Sequence, residues 1–148
     1  MVPTDLVDSF AAILSISKRH APVLEQAVLA EFISGGHFGR HIRRMREVYA
    51  ERLNVLMESA RERLHGLLEI SVIEAGLQTV GWLPDGIMAE RTARAAEDRD
   101  VEVGLLSRCT IDSRAMNGLQ LGFAAVEPRE IRRGIRELAA VLEGERSR

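Results

Sequence analysis

The stretch from Gly35 to Leu64 constrains this chain more than any other. Its apolar residues Phe38, Ile42, Met45, Tyr49, Leu53, Leu56, Ala60 and Leu64 advance in steps of four and three, close to the helical repeat. The spacing predicts one long amphipathic helix of roughly seven or eight turns at about 3.6 residues per turn. Gly35-Gly36 punctuates its start, no proline interrupts it, and His65-Gly66 supplies a stop. The polar face carries Arg40, Arg43, Arg44, Arg46, Glu47, Glu51, Arg52, Glu58, Arg61 and Glu62. Its first half is basic and its second half mixed.

Two shorter helices are predicted upstream. Pro3-Thr4-Asp5 opens the first, with Thr4 as its cap and Leu6, Phe10, Ile13 and Leu14 on one face, ending near Lys18-Arg19-His20. Pro22 suits the first turn of the second, which continues to Ser34. Downstream of Gly66 the repeat falls to two residues, because Leu68, Ile70 and Val72 alternate along a strand. A turn at Glu74-Ala75-Gly76 leads to a second strand over 77–83, and Pro84-Asp85-Gly86 hands over to a short helix over 87–98. A third strand is expected over 101–106, a polar passage over 107–117 and a fourth strand over 119–125. Glu127-Pro128 opens a last helix with Ile131, Ile135, Leu138 and Leu142 on one face. The fold class is therefore α/β with α+β character: a helical front end, then a small four-stranded sheet with packed helices.

A length of 148 residues with 46% hydrophobic and 28% charged residues suffices for one domain with a real core. The net charge of -2 gives no global attraction to nucleic acid or anionic membrane. Cys109 is the only cysteine, so no intramolecular disulfide can form. The N-terminal residues lack the basic flank of a signal peptide, and no apolar run approaches the roughly 18 residues of a membrane span. A cytoplasmic location is the expectation.

Local motifs are sparse. His37 and His41 share a helix face at metal-ligand spacing, but no glutamate follows the first and no third ligand is evident, so no metal is expected. Arg40, Arg43, Arg44 and Arg46 could contact phosphates, although Glu47 and Glu51 dilute that signal and favour a solvated or ion-paired face. Cys109 reads as a small buried side chain, and Gly118 and Gly122 as sites of close backbone packing.

Three separated segments carry a resemblance: Ala21 to Ala60 (APVLEQAVLAEFISGGHFGRHIRRMREVYAERLNVLMESA), Ala75 to Gly86 (AGLQTVGWLPDG) and Gly118 to Leu138 (GLQLGFAAVEPREIRRGIREL). Together they are similar to the C-terminal part of fold-type-I aminotransferase domains, above all in the MocR branch of GntR-type transcription regulators. The resemblance implies the small-domain portion of that fold. Residues 1–35 would link to a large domain, and residues 36–148, including the long helix 37–65, would form the small domain. It implies pyridoxal phosphate in the complete protein and none for this chain alone. Lys18, the only lysine, sits in Ser15-Ile16-Ser17-Lys18, but that segment aligns downstream of the family's cofactor lysine. No catalytic residue is therefore expected, and the chain alone is expected not to catalyse transamination.

Other expectations follow from the same resemblance. Where the family has an arginine that holds the substrate carboxylate, this chain has Gln120, in Gln120-Leu121-Gly122-Phe123, and Arg108 is the candidate replacement. Arg19 and His20 correspond to a segment that reaches a partner subunit's cofactor phosphate. The implied role is that of the effector and oligomerisation part of a regulator, a homo-oligomer with an amino-acid-like or pyridoxal phosphate effector. DNA would be met only through a domain outside this sequence, and no membrane is involved. Two alternatives remain open at this point: a free-standing homodimeric interaction module, and nucleic-acid binding through the arginine-rich helix.

Overall fold

The predicted succession of helices and strands is the one observed. The computed structural model describes residues 2–17, 22–71, 73, 76–109 and 116–147, and the chain divides into two units, Met1–Arg44 and Met45–Arg148.

The first unit is helical. A single 3-10 turn, Thr4–Leu6, precedes α1 (Val7–Ser17), and α2 spans Val23–Ser34. Thr4 lies inside the turn rather than capping it, and Pro3, which precedes it, makes no side-chain cap. Pro22 caps α2 by position alone. No residue of α1 or α2 is buried, although Ile13, Leu14, Ile16, Val23, Leu24, Val28 and Leu29 are large and apolar. Apolar residues surround α2 on all sides, a distribution that belongs to a helix meant to be covered. Around the α2 terminus, Phe32 stacks on His37 at 5.8 Å between ring centroids and meets Phe38 edge-on at 6.4 Å. Such offset and T-shaped contacts are the arrangements favoured by aromatic quadrupoles.

The long helix α3 (His37–Arg63) has its first residues in this unit and the rest in the second. Val55, Leu56, Ser59 and Ala60 are buried, as is Leu64 just beyond its end. The amides of Leu67 and Leu68 both donate to the Leu64 carbonyl, at 2.9 and 3.0 Å, and Gly66 has φ +74°. That left-handed residue lets the chain leave the helix without leaving its last carbonyl unpaired.

The second unit contains a four-stranded antiparallel sheet: β1 (Glu69–Ile70), β2 (Gln78–Trp82), β3 (Gly104–Leu105) and β4 (Gly118–Gly122), in the spatial order β1-β2-β4-β3. The two outer strands are much shorter than their predicted ranges. Each pairs along one edge only, and after Leu105 a 3-10 turn, Leu106–Cys109, takes the residues that would have prolonged β3. Between β2 and β3 lies α4 (Ala89–Glu97), and α5 (Pro128–Arg146) follows β4 with Pro128 in its first turn. One hydrophobic cluster joins Leu56, Ala60 and Leu64 to Leu119, Leu121 and Phe123 of the sheet region and to Ile131, Ile135, Leu138 and Leu142 of α5.

Polar anchors fasten this core. Thr92, wholly buried on α4, donates its hydroxyl at 2.6 Å to Glu145 of α5, and Arg91 Nε lies 3.2 Å from the other oxygen of the same carboxylate. Arg52 of α3 donates to the Ala124 carbonyl and pairs with Glu127. On the outer surface Arg99 pairs with Glu137 at 2.9 Å.

Candidate functional site

Strand alternation sorts the sheet into two faces. Thr79 and Gly81 of β2 stand opposite Leu121 and Leu119 of β4, and all four are buried against the core. Gln120 and Gln78 therefore lie on the opposite face. There the Gln120 amide donates to Gln78 Oε1 at 2.5 Å. Gln120 is opposite Val80 on one side and Gly104 on the other, and is half-buried. A Cβ at position 104 would come within 2.8 Å of Gln120 Oε1, so the glycine leaves room for the amide to lie across β3.

This pair is neutral. Each glutamine retains donor and acceptor capacity beyond their mutual bond, but neither can neutralise a carboxylate. Arg108 lies in the 3-10 turn after β3, four residues beyond the partner of Gln120, and is exposed. No hydrogen bond joins Arg108 to Gln120 among the described residues. Arg19, His20 and Lys18 lie outside the described residues.

The remaining sequence candidates resolve differently. His37 Nδ1 accepts a hydrogen bond from the Arg40 guanidinium at 3.0 Å and its ring is stacked on Phe32, while His41 is exposed. Among the described residues no group of three or more histidine, cysteine or acidic side chains could hold a metal. Cys109 is exposed, which corrects its reading as a buried side chain: the 3-10 turn carries Leu106 inward and leaves Cys109 outside. Close packing holds at Gly118, where a Cβ would fall 2.6 Å from Leu106, but not at Gly122, where it would meet nothing within 4 Å.

Sequence reasoning missed three features. Gln78 gave no signal, because its meaning depends on pairing with a residue 42 positions away. Trp82, half-buried with its indole N–H donating to Ser71 Oγ at 3.0 Å, was read only as part of a strand. The buried Thr92–Glu145 contact likewise spans 53 positions. Among the surface ion pairs, the Arg133 hydrogen bond to Glu130 at 2.7 Å lowers the Glu130 carboxyl below the usual glutamate value and raises the Arg133 guanidinium. The same Arg133 reaches the carbonyl of Asp100, at 2.9 Å, and so tethers α5 to the loop after α4. No helix among the described residues is long and apolar enough to cross a membrane.

No family model matches the chain. It is 38% identical over 142 residues to the probable rhizopine catabolism regulatory protein MocR of Rhizobium meliloti, a match covering 96% of the chain and 29% of that protein. It is 28% identical over 138 residues to the HTH-type transcriptional regulator YhdI of Bacillus subtilis, covering 93% of the chain and again 29% of the relative. The chain thus spans less than a third of the length of these curated relatives. Among solved structures, the α-aminoadipate aminotransferase LysN of Thermus thermophilus superposes with a TM-score of 0.88 at 21% identity, over 99% of the chain and 38% of LysN. The structural likeness establishes the fold and the sequence similarity the kinship: the chain is related to the C-terminal, aminotransferase-like part of MocR-type regulators and has the small-domain portion of the fold-type-I aminotransferase fold.

Proposed function

We propose that the chain serves as the effector-sensing and oligomerisation part of a MocR-type transcription regulator and that it is catalytically silent by itself. The observation that carries this reading is the 38% identity with MocR, sustained over 96% of the chain. In this reading the open face of the sheet, with Gln120 and Arg108, contributes to the site that recognises the effector. Residues 1–35 link it to a large domain, and residues 36–148 move as the small domain, so that effector binding shifts a conformational equilibrium and the shift reaches a DNA-binding domain.

Pyridoxal phosphate chemistry requires an amine that forms a Schiff base and a pocket that lowers its pKa. No described residue is a lysine. The chain's only lysine, Lys18, sits in a segment that aligns downstream of the family's cofactor lysine, which supports a silent role. The exposed large apolar residues of α1 and α2 support self-association, since contiguous apolar surface rarely remains open to water.

One experiment tests both parts. The chain is titrated with pyridoxal phosphate, reduced with borohydride and measured by native and denaturing mass spectrometry with peptide mapping. The expected result is a dimer or higher oligomer without a saturable adduct. One-to-one labelling at Lys18 would overturn the silent role, and a monomer at every concentration would overturn the oligomerisation role.

A further inference from the structure

A cavity of about 520 Å³ lies at the C-terminal end of α3, within the second unit. Met57, Leu68, Ile70, Trp82, Leu83 and Pro84 give it apolar walls, and Arg61 and His65, four residues apart, contribute a guanidinium and an imidazole. Neither Gln120 nor Arg108 lines it. We propose that this cavity is a binding site for a small aromatic carboxylate, with the carboxylate on Arg61 and the ring against Trp82.

Size, shape and charge each support that class of ligand. The volume falls in the range of about 300–1,000 Å³ typical of small-molecule sites, and the walls combine an apolar lining with few polar groups. Arg61 is exposed and forms no ion pair among the described residues, so its planar fork is free to meet a carboxylate with two parallel hydrogen bonds. The α3 carbonyl end would repel an anion, but Arg61 and Arg63 in its last turn offset its partial negative charge. Trp82 offers an aromatic surface, and its N–H is already satisfied by Ser71. Glu69, in register with Trp82 and also lining the cavity, is the one acid, and it orients the ligand by repelling the carboxylate toward the helix end.

Trp82 is the only tryptophan of the chain, so its fluorescence reports on this cavity alone. Phenylacetate is compared with phenethyl alcohol, which has the same ring and a neutral end. The expected result is a saturable fluorescence change with phenylacetate at least about tenfold tighter than with the alcohol, as befits a charge-assisted pair. Arg61→Gln, at an exposed position, is expected to abolish that preference and leave the affinity for the alcohol unchanged. Glu69→Gln is expected to tighten phenylacetate by about twofold to threefold, the size of a relieved like-charge contact in water. No saturable response in the unmodified chain, equal affinity for acid and alcohol, or a preference that survives Arg61→Gln would each overturn the proposal.

Discussion

Ile16 and Leu142 are both branched apolar residues on helices, yet one is 86% exposed and the other 0%. The contrast extends to the two units that contain them. Helices α1 and α2 bury nothing, while α5 buries Ile131, Ile135, Leu138, Ala139, Val141 and Leu142. All three are nonetheless α-helices. Local propensity alone leaves helices of 11 and 12 residues marginal in water, so α1 and α2 depend on a surface to pack against, as α5 has. The second unit supplies its own surfaces, whereas the first supplies apolar side chains and no cover for them.

Core truncation should separate the two units most clearly. Phe123, 1% exposed, is expected to cost about 3–5 kcal/mol on Phe123→Ala in urea unfolding, the range for large aromatic deletions. Ile16→Ala should stay within about 0.5 kcal/mol. Equal costs would show that the first unit shares the cooperative core and would end the distinction.

A smaller effect probes how the second unit is fastened. Thr92→Val keeps the shape and removes the hydroxyl donor to Glu145, leaving a buried carboxylate with Arg91 as its remaining partner. The expected loss is about 1–3 kcal/mol, and Thr92→Ser, which retains the hydroxyl, should restore much of it. If valine and serine prove equivalent, the hydroxyl is not what joins α4 to α5.

The smallest effect is electrostatic and lies on the surface. Because Arg133 holds the Glu130 carboxyl below its ordinary value, the contribution of Glu130 is present above the usual glutamate pKa of about 4.3 and is lost as pH falls through its lower folded value. The raised Arg133 works with the opposite sign, persisting until pH rises through its own folded value. A carbon-detected pH titration should find the Glu130 midpoint below that of unpaired glutamates, and Arg133→Gln should return it to the ordinary value. A midpoint indifferent to that substitution would refute the pairing.

Local signals made the elements legible and left their surroundings hidden. The ends of α3 could be read from Gly35-Gly36 and Gly66, and the start of α5 from Glu127-Pro128, because these residues act through their own backbone. Phe38 and Leu56 occupy the same periodic stripe, but Phe38 is 45% exposed and Leu56 is 3%. Periodicity identifies a face and says nothing of what covers it. The strands show the same division: the alternation of Leu68, Ile70 and Val72 marked the first strand and turn residues set off the others, but the shortness of β1 and β3, each paired along one edge, is encoded by no local pattern. At the candidate site, Gln120 was singled out only by the resemblance, and the burial of Leu119 and Leu121 places it on the far side of β4. Its partner Gln78 could be found only with the register in hand.

The spatial order β1-β2-β4-β3 has a consequence for how the chain emerges during synthesis. The strand that joins the sheet, β4, is made after both strands it must join, and β3 has no other partner. Until residue 118 has left the ribosome only the β1-β2 ribbon can pair, and a two-stranded ribbon of that length is marginal in water. The later edge of β2 then waits unpaired through α4 and β3, a window in which it could capture another chain's strand. Closure of the sheet thus waits on residues 118–122, and slower elongation through 83–117 would lengthen exposure of that edge.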